Sequence, residues 1–313
     1  IRRGPLAQPE SGTEVFDVAL RSATSAYSVG FPTDLWIGKE TTRTNGPYVS
    51  DRLRGGTKYL QTPTQGAEQT DAGGIAVFDL QDSFSQGAAS QPLVNWNWKR
   101  APGFCDVVAY TGNGTAGHTV SHNLGVAPEM IWVKSREQAR SWNAYLGPLG
   151  LSGGAPAYAV LNETDAAAYS TTRFYTTPTA TEFSVGSNSR VNTSGEDYIA
   201  YLFATVPGVS KVGSYTGNGS SQTIDCGFTS GARFVLIKRT DSSGHWYVFD
   251  SERGITVGST DTHLRLNVTD NEYDEAGWNG VDMIQPDNSG FVVTAASTSL
   301  NTSGASYIFY AIA

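Results

Sequence analysis

An Asp-x-x-Arg-Gly motif occurs twice and places a carboxylate three residues before a guanidinium. The copies begin at Asp51 and Asp250, and their arginines are Arg54 and Arg253. An exposed arginine of this kind could contact an anion or a sugar. We interpret the motif instead as a surface ion pair that holds a turn after a strand and contributes about 0–1 kcal/mol. The motif therefore indicates local structure rather than a reaction.

The histidines do not form a convincing metal site. His118 and His122 are four residues apart, which suits two metal ligands on a helix. The surrounding sequence is typical of a strand followed by a loop, and on a strand such residues lie about 13 Å apart. We therefore predict no metal and no cofactor, and we expect His245 and His263 to lie at the surface.

Sequence signatures of catalysis are missing. The chain has no Gly-x-Ser-x-Gly elbow, no Cys/His pairing motif and no phosphate-binding loop. A pair of glycosidase carboxylates needs only proximity in space, so the sequence leaves that possibility open. A catalytic cleft is normally unique, however, whereas the motifs of this chain recur. We predict that the protein is not an enzyme.

Aromatic residues beside polar turns form the candidate binding surface. Trp142 with Tyr145, and Trp246 with Tyr247, fall in the same predicted hairpin of two sequence repeats. Such rings can stack on sugars, although strand alternation would also place half of them in a core. The candidate surface residues are Trp142, Tyr145, His245, Trp246, Tyr273 and Trp278.

The stretches that must position these residues are two copies of one strand. Each copy starts with Asn-Thr-Ser-Gly, at Asn192 and at Asn301, and continues into a run rich in aromatic and β-branched residues. The run is apolar on both faces, which predicts a central strand covered on both sides. We expect Tyr198, Tyr201, Tyr307 and Tyr310 to be buried at equivalent places.

Working backwards from these strands reveals longer repeats with an offset of roughly 105 residues, which indicates tandem domains rather than a solenoid. Residues 1–12 are predicted to be an N-terminal arm that could dock on a partner chain. Repeat 1 spans residues 13–104, repeat 2 spans 105–208 and repeat 3 spans 209–313. Repeat 1 lacks the Tyr-Thr-Gly-Asn-Gly hairpin that opens the others, so it either lacks an edge strand or takes one from residues 13–20.

The predicted fold class is all-β, with three tandem jelly-roll-like β-sandwich modules of about 100 residues and about eight strands in repeat 3. The best helix candidate is a single turn at residues 163–168. Abundant Gly, with 35 residues, suits tight turns. Cys105 and Cys226 are the only cysteines, and we predict that both are reduced and buried.

Composition excludes several partner classes. The net charge of −8 argues against nucleic acid, which requires a basic face. No apolar run approaches the roughly 18 residues of a membrane span. Ile1 is not an initiator Met, so we expect further residues to precede it.

The combined motifs resemble a known family. Tyr-Thr-Gly-Asn-Gly, an aromatic-Val/Ile-Lys-Ser/Arg strand, Asp-x-x-Arg-Gly and Asn-x-Ser-Gly-x-x-Tyr-Ile/Val-Ala together resemble a repeated domain of unknown function. That domain occurs in virion proteins of tailed bacteriophages, particularly marine phages that infect cyanobacteria and other ocean bacteria. Repeat 2 departs from the pattern, with Leu146 and Leu149 in place of Asp and Arg. The resemblance covers residues 28–313 and implies a tail-fibre or appendage protein on the exterior of the virion.

Three functional hypotheses follow. The first is a structural or receptor-binding phage appendage, homo-oligomeric with a trimer favoured, that contacts other virion proteins and a host polysaccharide or protein receptor. The second is a capsid-surface decoration or head-fibre protein. The third is a secreted carbohydrate-binding or polysaccharide-degrading β-protein. In the first hypothesis the N-terminal end attaches to the particle, and residues 241–246 and 271–279 of repeat 3 contact the host.

Overall fold

Antiparallel β-strands account for nearly all of the regular structure in the computed structural model. It describes residues 7–21, 26–71, 76–86, 92–258, 261–272, 282–295 and 297–313. The predicted all-β class is confirmed. The predicted helical turn at residues 163–168 is wrong, because that segment is irregular before a short strand, and the α-helical turn is Ser189–Asn192.

Repeat 1 forms one large and one small sheet. The large sheet has the order β1-β9-β3-β4-β5-β6, and the small one β2-β8-β7. The strands are β1 (Phe16–Arg21), β2 (Tyr27–Ser28), β3 (Leu35–Glu40), β4 (Tyr48–Asp51), β5 (Lys58–Gln61), β6 (Gln69–Thr70), β7 (Ala76–Val77), β8 (Ser83–Gln86) and β9 (Leu93–Trp98). A 3₁₀ turn, Gly12–Glu14, precedes β1.

Repeat 2 repeats this plan. Its large sheet has the order β10-β18-β12-β13-β15-β14, with β16 also on β15, and its small sheet pairs β11 with β17. The strands are β10 (Cys105–Thr111), β11 (His118–Ser121), β12 (Met130–Ser135), β13 (Asn143–Leu146), β14 (Leu151–Ser152), β15 (Ala155–Val160), β16 (Ala168–Tyr169), β17 (Glu182–Val185) and β18 (Asp197–Phe203). A 3₁₀ turn, Gly147–Leu149, follows β13.

Repeat 3 has eight strands within its described residues, as predicted. The large sheet has the order β19-β26-β21-β22-β23, and the small sheet β20-β25-β24. The strands are β19 (Ser210–Thr216), β20 (Gln222–Asp225), β21 (Phe234–Arg239), β22 (Trp246–Asp250), β23 (Leu264–Arg265), β24 (Ile284–Asp287), β25 (Gly290–Val293) and β26 (Ser306–Ile312).

The closing strand is central in each large sheet. β9, β18 and β26 each lie between the opening strand and the third strand of the same sheet. β1 occupies the opening position of repeat 1, so this repeat takes its edge strand from residues 16–21, which largely coincide with the predicted 13–20. The predicted burial of the four closing-strand tyrosines is also confirmed, since all are 0% exposed: Tyr198, Tyr201, Tyr307 and Tyr310.

The two faces of each closing strand contribute to different cores. In β18, Tyr198 packs in the core between the large and small sheets of repeat 2, whereas Tyr201 packs in a core that contains residues of all three repeats. Ring contacts cross this shared core, including Trp98 to Phe234 at 5.5 Å and Phe203 to Tyr310 at 4.9 Å between centroids. The β-sandwich character is therefore clear, while the predicted division into three tandem modules is not confirmed.

Three equivalent backbone hydrogen bonds join the repeats in a cycle. Glu68 N of repeat 1 donates to Arg136 O of repeat 2 at 2.7 Å. Ala167 N of repeat 2 donates to Thr240 O of repeat 3, and Glu272 N of repeat 3 donates to Thr41 O of repeat 1, both at 2.8 Å. The three acceptors each follow the third strand of a large sheet. Each repeat is thus joined to both of the others by a hydrogen bond of the same kind.

The repeated Asn-Thr-Ser-Gly motif has a structural explanation. Asn192 Oδ1 accepts from Asn113 N at 2.8 Å, and Asn301 Oδ1 accepts from Asn218 N at 3.0 Å. Each asparagine thereby ties the start of the closing strand to the Thr-Gly-Asn-Gly hairpin. A Cβ at Gly112 would lie 2.3 Å from Thr193 O. Because this approach excludes any side chain, the two motifs occur together.

The Asp-x-x-Arg motif is buried, so its interpretation as a surface ion pair is wrong. Asp51 and Arg54 side chains are 0% and 1% exposed, with Arg54 Nε 2.5 Å from Asp51 Oδ2. Tyr201 of repeat 2 donates to Asp51 Oδ2 at 2.8 Å and accepts from Arg54 Nη2 at 2.9 Å. In repeat 3, Asp250 Oδ2 accepts from Arg253 and from Trp96 Nε1 of repeat 1. The motif therefore joins neighbouring repeats.

Other predictions concern the termini and the cysteines. Cys105 and Cys226 are unpaired and buried, as predicted. Of the N-terminal arm, Pro9 and Gly12 are buried, and a Cβ on Gly12 would lie 1.9 Å from Ala313 O. The end of the arm therefore packs against the end of the chain. Docking of the arm on a partner and the module boundaries remain predictions.

Candidate functional site

A polar groove lies where the hairpin β21–β22 of repeat 3 meets repeat 2. Its volume is about 310 Å³. We call it the hairpin-tip groove. Its lining residues carry hydroxyl, guanidinium, imidazole and phenol groups: Thr164, Arg239, Ser243, Gly244, His245, Tyr247, Thr298 and Ser299. The groove includes part of residues 241–246, the stretch predicted to contact a host.

Backbone contacts hold the two sides of the groove together. Lys238 Nζ, on a fully buried residue, donates to Thr164 O at 3.1 Å and to Arg239 O at 2.7 Å. Gly244 N donates to the same Thr164 carbonyl at 2.8 Å. Burial lowers the pKa of Lys238 to about 8. A single carbonyl of repeat 2 thus accepts hydrogen bonds from β21 and from the turn before β22.

The contact with Asn267 determines which ring nitrogen of His245 accepts a hydrogen bond. Asn267 Oδ1 accepts from Trp246 N at 3.0 Å, so Asn267 presents its Nδ2 to His245 Nδ1 at 2.9 Å. Nδ1 is then the acceptor, and Nε2 carries the hydrogen of the neutral ring. Desolvation by burial, with the neighbouring Arg265 charge, lowers the pKa of His245. The ring is therefore a neutral donor near pH 7.

Arg239 is oriented by Asp241 in a bidentate pair. Arg239 Nε lies 2.9 Å from Asp241 Oδ1, and Nη2 lies 3.1 Å from Oδ2. The hydrogen bond from Arg239 lowers the pKa of the Asp241 carboxyl. Planar pairs of this kind fix the direction of the guanidinium. With the hydroxyls and His245, the groove presents donors and acceptors suited to a hydroxylated ligand rather than a nucleophile activated by a base.

The equivalent hairpin tips of repeats 1 and 2 differ from the hairpin-tip groove in their lining residues. A groove of about 460 Å³ lies at the tip of hairpin β3–β4, between repeats 1 and 3, and includes Arg43, Asn45 and Asn271. At the β12–β13 tip, an ion pair joins Arg136 to Glu68, with Nε 3.0 Å from Oε2. Two of the three related places are therefore open grooves, and the third carries an ion pair between repeats.

The family comparison covers nearly the whole chain. The family described as "Domain of unknown function (DUF7483)" matches residues 13–313. The chain belongs to the DUF7483 family. Comparison of this DUF7483 member with curated proteins gave no match. The match runs through all three repeats, as the shared core does.

The predicted sugar-stacking role of three aromatic residues is wrong, because the rings are buried in this DUF7483 chain. Trp142 and Trp246 are 0% exposed and Tyr145 is 4% exposed. Trp142 Nε1 donates to Gln61 O of repeat 1 at 3.0 Å, and Trp246 Nε1 donates to Val160 O of repeat 2 at 3.2 Å. The tryptophans thus join neighbouring repeats. His245 lines the hairpin-tip groove, and Tyr273 and Trp278 lie outside the described residues.

The remaining histidines have local partners. His118 Nδ1 lies 3.2 Å from Asn192 Oδ1, and Leu124 N donates to His122 Nδ1 at 3.2 Å. His263 is 6% exposed, so its predicted surface position is wrong, and burial lowers its pKa to about 4. Within the described ranges no three His, Cys, Asp or Glu side chains are grouped to hold a metal. No helix in those ranges is long and apolar enough to cross a membrane.

Sequence reasoning missed the groove residues contributed from outside the hairpin. Thr164 comes from repeat 2 and Thr298 from the loop before β26. The available signal was a lysine in the last two positions of the third strand of each repeat, at Lys39, Lys134 and Lys238. A lysine that recurs in an otherwise apolar strand indicates a buried polar contact, and here that contact identifies the neighbouring loop.

Proposed function

We propose that this DUF7483 protein is a structural and binding component on the exterior of a tailed-phage particle, as a tail fibre or another appendage. The phage assignment rests on the motif resemblance, since the family itself has no known function. The proposed activity is binding without catalysis. Its partners would be other virion proteins and a host surface polysaccharide or protein receptor.

The observation that carries the proposal is the interlocking of the three repeats. Their motif residues take part in structural contacts: Asp51 and Arg54 bond Tyr201 of the next repeat, and Trp246 bonds a carbonyl of repeat 2. Such a core suits a rigid scaffold that carries its variable chemistry in surface loops. The hairpin-tip groove is the best-supported such loop site.

The proposed contact is between the hairpin-tip groove and hydroxyl groups of a host surface saccharide. His245 supplies a neutral Nε2 donor, and Arg239 supplies a guanidinium oriented by Asp241. The hydroxyls of Ser243 and Thr298 can both donate and accept. Because repeated weak contacts gain avidity, a homo-oligomer, with a trimer favoured, would strengthen attachment.

Binding of the labelled full chain to host cells tests the contact. His245→Ala and Arg239→Ala should each reduce binding several-fold while the thermal unfolding temperature changes little. Glu182→Ala, on an exposed residue of β17, is the matched control and should leave binding unchanged. Equal binding by all three variants would contradict the proposed surface.

Immunogold electron microscopy of intact particles tests the location. Label on the tail or its appendages supports the first hypothesis, and label over the capsid supports the decoration or head-fibre alternative. Absence of label from particles would overturn a virion role. Release of reducing sugars from purified host polysaccharide would favour the polysaccharide-degrading alternative. Sedimentation of the chain tests the proposed oligomer.

A further inference from the structure

A lysine, an asparagine and a glutamate are joined at the tip of hairpin β3–β4. Lys39 Nζ lies 3.1 Å from Asn45 Oδ1. The amide nitrogen of the same asparagine donates to Glu40 Oε2 at 2.5 Å. Lys39 is 0% exposed and Glu40 is 8% exposed. An amine, a carboxamide and a carboxylate therefore meet where the lysine and the glutamate are buried and the half-buried asparagine lines the groove.

A comparison with the equivalent lysines of the other repeats shows which hydrogen-bond partner is specific to Lys39. Lys39, Lys134 and Lys238 pair with equivalent positions of the three closing strands. The hydrogen bonds of Lys134 Nζ go to Ser135 O and Gln65 O, and those of Lys238 Nζ to Arg239 O and Thr164 O. Lys39 likewise donates to Glu40 O and Arg43 O, and it adds the side-chain amide of Asn45.

The surroundings favour a reactive amine. Desolvation by burial lowers the pKa of Lys39 to about 8. Roughly a tenth of the population is then neutral at pH 7, against a negligible fraction for an ordinary lysine. A neutral amine has two hydrogens, which the carbonyls of Glu40 and Arg43 can accept at 2.8 and 2.5 Å. In the ammonium the third hydrogen is donated to Asn45 Oδ1 at 3.1 Å, so loss of that proton would turn the lone pair towards the Asn45 amide.

We propose that Lys39 and Asn45 form an intramolecular amide bond, with Glu40 as the proton carrier. The Nζ lone pair attacks Cγ of Asn45 and forms the new N–C bond. The nitrogen loses a proton to water of the adjoining groove, and Nδ2 gains one through Glu40, whose Oε2 lies 2.5 Å from Nδ2. The Cγ–Nδ2 bond then breaks and ammonia leaves. No oxidant, reductant or further reactant is needed, because amine and amide exchange at constant oxidation state.

The bond would link the end of β3 to the far side of the hairpin tip. Asn45 and Arg43 line the groove between repeats 1 and 3, so the reaction would also convert a primary amide in that groove into a secondary one. The other two hairpins contain the lysine without a side-chain amide on Nζ in the described residues. The modification is therefore specific to repeat 1.

Mass spectrometry of the denatured full chain tests the proposal. The intact mass should be lower than the sequence mass by one ammonia. Trypsin should fail to cut after Lys39 and should leave peptides 22–43 and 44–52 joined. Asn45→Ala and Lys39→Arg should each restore the full mass, and Glu40→Gln should slow bond formation at least several-fold. Lys134→Arg, at the equivalent lysine, should retain the ammonia loss.

Two results would overturn the proposal. One is a full-mass protein that trypsin cuts after Lys39 even after long incubation at pH 8. The other is ammonia loss confined to a free 44–52 peptide, which would mean that the Gly46 backbone nitrogen, rather than Lys39, attacked Asn45. Should Lys39→Arg fail to fold, Asn45→Ala gives the same test without removing the buried lysine.

Discussion

Two contacts between repeats use the same positions with opposite chemistry. Between repeats 1 and 2, Asp51 and Arg54 form a buried ion pair that also bonds Tyr201. Between repeats 2 and 3, the register of the sheets places Leu146 and Leu149 at those positions. Both leucines pack in or against the shared core, which also contains Tyr310.

The difference teaches that the fold does not require the ion pair. A buried pair gains Coulomb energy but has a desolvation cost of several kcal/mol per ion, so well-packed leucines can serve equally well. The ion pair differs from the leucines in its response to single substitutions, because each buried charge is stable only while the opposite charge is present. Removing one leucine leaves a cavity, whereas removing one charge leaves the other charge buried. The following predictions separate these cases.

The largest expected effect comes from removing repeat 3 altogether. The shared core includes Leu236 and also Phe234 and Tyr310, whose rings contact Trp98 and Phe203 of the other repeats. A chain that ends at residue 208 should therefore lose cooperative unfolding, measured by thermal denaturation beside the full chain. If a phage carried this truncated chain, failure of the chain to enter the particle would therefore report unfolding. A sharp transition for residues 1–208 would show that the contacts between repeats are dispensable.

The next prediction breaks the ion pair on one side. Asp51→Ala leaves Arg54 buried without its main partner and should lower the free energy of unfolding by about 3–5 kcal/mol. Glu68 Oε2, 3.4 Å from Arg54 Nη1, offers only partial replacement. Urea denaturation measures the change.

The matched variant copies the contact between repeats 2 and 3. Asp51→Leu with Arg54→Leu removes both charges and should cost less than about 1 kcal/mol, or should stabilise the fold. Glu68 keeps Arg136 as its partner in this variant. If the double variant is as unstable as Asp51→Ala, the pair contributes a net attraction that leucines cannot replace.

The contrast also explains which features the sequence could predict. The closing strands were predictable because a run that is apolar on both faces must be covered on both faces. For the edge of repeat 1 the sequence leaves two possibilities, a missing strand or a strand from residues 13–20, and β1 corresponds to the second. The burial of Trp142 and Trp246 is not predictable in this way. Strand alternation shows that one face of their strands is covered, but it does not show that another repeat covers the face that carries the tryptophans. The sequence favours a surface position for Asp51 because charged side chains are rarely buried, and its partner Tyr201 is distant in sequence.

Two tyrosines at equivalent positions give a finer comparison. Tyr201 Oη bonds both Asp51 and Arg54, whereas Tyr310 Oη makes no hydrogen bond of good geometry to the described residues, although Trp98 Nε1 is nearby. Tyr201→Phe should cost about 1–3 kcal/mol because it unpairs buried charged groups. Tyr310→Phe should change stability by less than about 0.5 kcal/mol. Equal losses in denaturation experiments would show that Tyr310 has an effective partner.

The smallest expected difference concerns Lys134 and Lys238. Each lysine donates hydrogen bonds across one of the two contacts, Lys134 between repeats 1 and 2 and Lys238 between repeats 2 and 3. Burial lowers the pKa of each to about 8 from an ordinary 10.5. The unfolded chain therefore binds more protons between pH 8 and pH 10.5, and this term makes stability rise with pH across that window. Below about pH 8 the full cost of burying the charge is present.

Replacing either lysine by methionine should remove its share of that rise. Other groups titrate in the same range, including Cys226, whose pKa is raised to about 12 by burial. The useful quantity is therefore the difference between the stability–pH profiles of wild type and variant. Lys134→Met and Lys238→Met should give the same difference, because each lysine bonds its own strand and one carbonyl of the preceding repeat. A steeper change at Lys134 would mean that the nearby Arg54 and Arg140 charges, rather than burial alone, govern its titration. The ion-pair contact would then differ from the leucine contact in its pH response as well as in its tolerance of substitution.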